Sequence, residues 1–443
     1  MAPVREFIDF FLRNKGLGIL LVLGLVAGIA GPTLFRGAIL PTKRTDLTVY
    51  LRAGEAVLDN HAREIYSVAN VRHWHYIYPP LLAILLAPVS KASPLATVPL
   101  AYLLSLACLA GTAVLSLRFP EDARPAPWQI ALAMIFCLPM FLNTLTRGQF
   151  DIITLFLMAA IFYNHLKKKK LVTGLLLAFA VTLKVSPLAF LLFFFLMKRE
   201  WKILWSALLG FVLFFFLLPS AAIGWNTNGA LLKIWWGLMS ISQSDTAYRH
   251  YLWNELYSPF GPHHQSIYSV VTRLAWPSET QFLGRSNRTV RIITSCLSAL
   301  LLTLPFLKAR GTAPGEKRSA LKQLAEFSIF PMLMLFTSPV NHIHHYTVIY
   351  FLFLAALMLR DRIPRGSRAR RGLDWSLWTC ALSLTLGTMV PVLGHWGLPL
   401  WGALFLWGTV LFCPDPKGFA VPAGGTLTHH TTCPLSNDII PLC

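Results

Sequence analysis

Apolar runs long enough to cross a bilayer recur along this whole chain, and they leave no stretch in which a soluble domain of normal length could fold. LGILLVLGLVAGIAGPTLF, LATVPLAYLLSLACLAGTAVLSL, ILWSALLGFVLFFFLLPSAA and LWTCALSLTLGTMVPVL each reach the length that about 30 Å of hydrocarbon demands at ~1.5 Å per helical residue. Of the 443 residues, 55% are hydrophobic and only 13% charged, a balance too apolar for a soluble domain of this size. The expectation is an all-α, polytopic integral membrane protein.

The formal net charge of +20 would suit nucleic acid if it were spread over a soluble surface. Instead the excess sits in short clusters beside apolar runs: KKKK at 167–170, KREWK at 198–202 and RDRIPRGSRARR at 360–371. Such clusters anchor the cytoplasmic ends of spans and touch anionic lipid, so no nucleic-acid partner is expected. The N-terminus carries Arg5, Arg13 and Lys15 before an apolar run too long for a cleaved signal peptide, which reads as an uncleaved first helix. Alternating sides from there places about twelve spans, near 17–35, 94–117, 128–145, 151–166, 171–183, 187–197, 203–223, 288–307, 323–339, 346–359, 375–393 and 397–412. PLLAILLAPV at 80–89 is too short to cross and should lie at the interface. The runs 171–183 and 187–197 are also short, and read as two helices meeting at a polar break, tolerated at membrane depth only where it lines a cavity. The expected organisation is one transmembrane domain over 1–412, with long extracytoplasmic segments at 36–93 and 224–286, and a disordered cytoplasmic tail at 413–443.

That bookkeeping puts Asp46, Arg147, Gln149, Lys184, His264, Gln265 and the His342 to His345 cluster on one side, the extracytoplasmic one. Lys184, in VTLKVSPLAF, needs an anion, a phosphate or carboxylate, unless it snorkels to the outer interface. His342, His344 and His345 could hold a metal, hydrogen-bond a polar ligand, or form a plain interfacial cluster; no Cys, Asp or Glu accompanies them. Asp46 opens the polar segment TDLTVYLRAGEAVLDNHAREIYSVANVRHWHYIYPP, with Arg44, Arg52, Arg63, Arg72, His73 and His75 nearby. It could be a general base, or half of a surface ion pair with Arg44 or Arg52. Glu55, Asp59 and Glu64 compete for the role; Asp46 is favoured because it comes first after the opening helix, where the chain is still anchored. The seven cysteines show no paired spacing, and Cys433, Cys443, His429 and His430 in the tail lack a CxxC, so neither disulfides nor a zinc site is expected.

TDLTVYLRAGEAV to YIYPPLLAILLAP, then RGQFDIITLFLMAA, GLLLAFAVTLKVSPLAFLLFFFLMKREW, HQSIYSVVTRL and SPVNHIHHYTVIY together resemble glycosyltransferase family 87, enzymes of the GT-C fold typified by polyprenol-phosphate-mannose-dependent mannosyltransferases of bacterial envelopes. The resemblance covers most of residues 40–350, departing from the family pattern at His264 before Gln265 and in its histidine-rich last motif. It implies a polyprenyl-phosphate sugar donor, most simply of mannose, a glycolipid or glycan acceptor, and an active site on the outer face of a bacterial-type inner membrane. Asp46 would be the base, with inversion at the anomeric carbon. Lys184, Arg147, His344 and His345 would bind the donor phosphate, and Gln149, Tyr78, His264, Gln265 and His342 the rest of the substrate. No metal or cofactor is expected, because Lys, Arg and His can meet the charge of a single phosphate. The competing reading is a transporter or flippase, which would call for midplane charges and an internal repeat; no inverted repeat is evident in the sequence.

Overall fold

The computed structural model of the chain describes residues 20–32 (22 and 30 apart), 46–70, 73–239, 258–276, 278, 288–310, 319–339 and 341–414. The flanks of the expected first span, residues 36–45, part of the second long segment and the tail beyond 414 lie outside the described residues. Among those described the structure is all-α, with no strand and only two isolated β-bridges.

Helices appear where the apolar runs place them: Pro94–Leu117, Asp151–Leu166, Lys170–Leu183, Ala320–Thr337, Ile349–Arg362, Arg368–Met389 and Leu398–Phe412. By length and composition, four helices among the described residues can cross a membrane alone, or five if the bent pair Glu121–Phe136 and Leu138–Arg147 counts as one span. Five further apolar helices are 10–17 residues long, among them Pro80–Val89, Lys170–Leu183 and Val185–Met197. The 56° bend in the paired helices falls at Pro139, which has no N–H to continue the ladder.

Burial sorts the spans. In Ile343–Arg362, 94% of the apolar window is inside the protein, and Ile349 to Leu359 are buried on every face. A helix apolar all round belongs at the centre of a bundle. Only 17% of the Arg288–Lys308 window and 22% of the Trp201–Ile223 window are buried; their exposed Ile292, Leu300, Trp205 and Leu209 suit lipid contact. Trp201–Ile223 contains a π-helical stretch at Val212–Leu217, which disturbs the carbonyl ladder. Asn228 answers it, donating through Nδ2 to the Phe215 carbonyl at 2.9 Å and to Ser220 Oγ at 3.1 Å. This contact holds the helix Trp225–Met239, which carries Trp235 and Met239 to the functional end.

At that end the helix Asp46–Leu58 buries Val49, Tyr50, Ala53 and Gly54 on one face, a spacing of three and four residues. Gly54 packs so closely on the helix Pro80–Leu86 and the turn after it that a Cβ would lie 3.1 Å from the Ala87 nitrogen. Pro80 opens that helix at N1, where a missing N–H costs nothing. The buried Tyr76 hydroxyl ties it down, donating to the Pro79 carbonyl at 2.7 Å and accepting from Ala83 N at 3.2 Å.

Candidate active site

Asp46 is the first residue of the helix Asp46–Leu58, where a carboxylate favours the helix dipole. Arg147 ends the helix Leu138–Arg147, and Gly148 stops it with φ +68°. That left-handed turn brings Arg147 back over Asp46, with Arg147 Nε donating to Asp46 Oδ2 at 3.0 Å. The turn fits because residue 148 has no side chain: a Cβ there would lie 2.6 Å from Leu47 Cβ. The cation on Asp46 is therefore Arg147, a hundred residues away, and neither of the arginines expected. Arg52 points outward on the same helix, and Arg44 lies outside the described residues.

Gln149 follows the turn and serves as a hub. Its Oε1 accepts from Tyr50 OH at 2.7 Å and Lys184 Nζ at 3.3 Å, with Tyr78 OH at 3.5 Å. Burial pushes both phenols up from the ordinary tyrosine range, so they remain donors. Lys184 sits in the break anticipated from the sequence: the helix Lys170–Leu183 stops, and Lys184 is extended at φ −154°, ψ 104°. The anion it needs is already in the protein. Lys184 Nζ lies 2.7 Å from Asp151 Oδ1, in a pair whose side chains are 5% and 1% exposed. Asp151 begins the helix Asp151–Leu166, and its Oδ2 faces His344 Nε2 at 3.9 Å.

The imidazoles come from the tight turn Ile343–Val348 and the residue before it. Gln265 N donates to the Asn341 carbonyl at 2.9 Å and Ile343 N to the His263 carbonyl at 3.0 Å, so two distant segments meet as a β-bridge at His264 and His342. Those two rings lie 4.2 Å apart; His342 to His344 and His344 to His345 follow at 5.3 and 4.5 Å. Arg273 locks the arrangement. Buried and with no carboxylate partner among the described residues, it donates to the carbonyls of Pro259, Gly261, His264 and His395 at 2.6–3.0 Å. Burial, reinforced by Arg273, pushes the His264 imidazole down to about 3, so it is neutral.

These groups surround a cavity of about 260 Å³. Asp46, Tyr78, Arg147, Gln149, Lys184, His342, His344 and His345 all line it, so eight of the ten residues singled out from the sequence converge. His264 and Gln265 do not reach it. His264 backs His342, and Gln265 turns its amide Nε2 to the carbonyls of Pro262 and Gly394 at 2.6 and 2.7 Å; both brace the histidine turn. Glu55, Asp59 and Glu64 are exposed and outside the lining, with Asp59 paired to Lys91. Sequence reasoning missed Tyr50, Trp74, Ser186 and Trp235, which line the cavity, and Asp151 behind it. Arg147 lies over the Trp74 ring, 5.5 Å from its centroid. Ser186 Oγ, His342 Nδ1 and His344 Nδ1 are buried with no hydrogen-bond partner among the described residues. Val49, Ile77, Trp235, Met239 and Met334 give the cavity an apolar flank. The described His, Cys, Asp and Glu side chains do not gather in threes as a metal site would require.

The sequence model of glycosyltransferase family 87 matches residues 76–339, more than half of the chain. The chain belongs to glycosyltransferase family 87. It is a membrane glycosyltransferase, and the all-α architecture expected from its sequence is the one found among the described residues. The polyprenol-phosphate-mannose-dependent alpha-(1-2)-phosphatidylinositol mannoside mannosyltransferase of Mycolicibacterium smegmatis is 26% identical over 373 residues, covering 79% of this chain and 76% of that one. Among solved structures, ArnT from Cupriavidus metallidurans bound to undecaprenyl phosphate aligns at TM-score 0.36 and 14% identity, over 87% of this chain and 76% of that chain. Its apo form aligns at TM-score 0.38 and 12% identity over the same shares. The family 87 match spans Tyr78, Arg147, Gln149 and Lys184, whereas Asp46 and the histidine turn fall outside it. Those residues join the site by geometry.

Proposed function

We propose that this chain transfers a sugar, mannose by analogy with the relative, from a polyprenyl-phosphate donor to a glycolipid or glycan acceptor, at the extracytoplasmic face of a bacterial-type inner membrane. The observation that carries the reading is one cavity that sets a carboxylate beside a lysine, an arginine and imidazoles able to hold a phosphate, with an apolar flank that would suit an isoprenoid. Asp46 Oδ2 is occupied by Arg147, while Oδ1 makes no hydrogen bond among the described residues; Oδ1 would take the proton from the acceptor hydroxyl. As the acceptor oxygen bonds the anomeric carbon, the bond from carbon to phosphate oxygen breaks on the opposite side, and the lipid phosphate leaves with its electron pair. One such displacement inverts the anomeric centre.

Arg147, Lys184, His344 and His345 would hold the phosphate oxygens, where fixed donors count for most as charge develops. Gln149, Tyr78 and His342 would orient the sugar. The phosphate charge is met by side chains, so neither a metal nor another cofactor enters the scheme. The test is transfer of labelled mannose from polyprenyl phosphate by the purified protein. A positioned base contributes about 10²–10⁴-fold, so Asp46→Asn should lose at least about 100-fold in kcat, while Asp59→Asn, Glu55→Gln and Glu64→Gln retain activity. Full transfer by folded Asp46→Asn would remove Asp46 from the role.

A further inference from the structure

Nothing in the transfer scheme uses Asp151, yet its carboxylate stands directly behind two groups that do. Its side chain is 1% exposed and does not line the cavity, whereas Lys184 does. Oδ1 holds Lys184 Nζ at 2.7 Å. Among the described residues Oδ2 has no hydrogen-bond partner, and it lies 3.9 Å from His344 Nε2. Thr347 Oγ1, one turn beyond the histidines, donates to the Asp151 carbonyl at 3.4 Å. A buried ion pair is weak evidence for stability, since replacing both charges with apolar groups is often neutral or stabilising. Nor does the helix Asp151–Leu166 need it as a cap: the N-cap position is Phe150, and no side-chain capping hydrogen bond is made there.

The charge has a use in the reaction. A sugar linked through phosphate to a lipid is a phosphodiester with one formal negative charge. The lipid phosphate that leaves is a monoester, which carries closer to two at neutral pH. A buried lysine without a counter-charge would favour the more highly charged product over the substrate, and tight product binding slows turnover.

Resting on the reading that the donor phosphate meets Lys184, we infer that Asp151 is a positioning residue that holds the Lys184 ammonium and offsets its charge, so that the lipid phosphate product is released. The enzyme keeps an ammonium where the phosphate oxygens need a donor, and the paired carboxylate keeps that donor from becoming a trap.

The experiment measures inhibition of transfer by undecaprenyl phosphate, with undecaprenol as the uncharged control, in the wild type and in Asp151→Asn, Asp151→Glu and Lys184→Met. Asp151→Asn preserves shape and removes the charge. At an effective dielectric near 20, losing a unit charge within several Å of a phosphate should tighten inhibition about tenfold or more, with kcat falling and undecaprenol unaffected. Asp151→Glu restores the charge and should return the inhibition constant to within about threefold of wild type. A purely structural Asp151 would lower stability and kcat without tightening the inhibitor, and that result overturns the inference. Lys184→Met separates the two claims. If it leaves undecaprenyl phosphate inhibition unchanged, the phosphate does not meet Lys184 and the functional reading falls. If it weakens inhibition while Asp151→Asn fails to strengthen it, the role of Asp151 alone falls. Should Asp151→Asn not fold, Asp151→Ser makes the same charge change in a smaller side chain. Loss of the fold in both would make the carboxylate a folding requirement and overturn its assignment to product release.

Discussion

Adding one methyl group at Gly148 should disable the site while leaving most of the protein intact. Gly148 has φ +68°, and a non-glycine L-residue pays about 1–2 kcal/mol there. A Cβ would stand 2.6 Å from Leu47 Cβ, against an ordinary carbon contact of about 3.5–4.0 Å, so one side must move by roughly 1 Å. Overpacking of this kind costs about 1–3 kcal/mol, which brings the burden of Gly148→Ala to about 2–5 kcal/mol. The cheapest relief is to push the Arg147 to Gln149 turn off the helix that starts at Asp46. That movement breaks the 3.0 Å contact between Arg147 and Asp46 and draws Gln149 away from Tyr50. Misplacing catalytic groups by about 1 Å can cost on the order of 100-fold. The assay pairs thermal unfolding in detergent with initial transfer rates at saturating donor. The expected result is a lower Tm and a kcat reduced about 100-fold. Gly148→Asn sharpens the test: asparagine tolerates the left-handed conformation but keeps the Cβ, so it should recover part of the Tm and little of the rate. Wild-type kcat and Tm in Gly148→Ala would refute the packing argument.

Arg273→Lys should destabilise the chain by roughly 2–4 kcal/mol, because three ammonium donors cannot reach the carbonyls that the buried guanidinium fork spans; a Tm equal to wild type would show that the histidine turn is held by other means. Acid should loosen the same region through His264. Its imidazole is held down to about 3 against an unfolded value near 6.5, so between those pH values the unfolded chain binds a proton that the folded chain does not. Stability is therefore full above about pH 6.5 and falls on acidification, by about 2 kcal/mol at pH 5. Denaturant titrations of wild type and His264→Gln check this, since the variant should lose that part of the pH slope.

The fold was legible because its main determinant, hydrocarbon thickness, acts on runs of sequence that can be read directly. The helices Pro94–Leu117, Asp151–Leu166 and Leu398–Phe412 lie at the expected places, and the polar break at Lys184 was anticipated from two runs each too short to cross. Convergence of the site was legible for a similar reason: charge clusters assign each turn to a side, and residues on one side of a bundle can meet. Pairing was not. Arg44 and Arg52 flank Asp46 in sequence, but a helix start and a left-handed turn give the contact to Arg147, and no local pattern encodes that. Asp151 left a signal that went unread: a carboxylate opening an apolar helix is as costly at membrane depth as Lys184, and two such costs of opposite sign are most cheaply met by each other. His264 and Gln265 misled for the opposite reason. A polar side chain near a site suggests substrate contact, while their actual work is to bond or pack against the backbone and rings that hold the histidine turn.

In the proposed complex a lipid-linked sugar phosphate occupies the Asp46 cavity with its phosphate among Lys184, Arg147, His344 and His345. An experimental structure with a non-transferable polyprenyl-phosphate sugar bound tests it most directly. The phosphate oxygens should lie within about 3 Å of Lys184 Nζ and at least one of the other three side chains, with the isoprenoid along Trp235, Met239 and Met334, and Asp46 across the anomeric carbon from the phosphate. A phosphate bound away from all four residues, or on the same side of the sugar as Asp46, would contradict it.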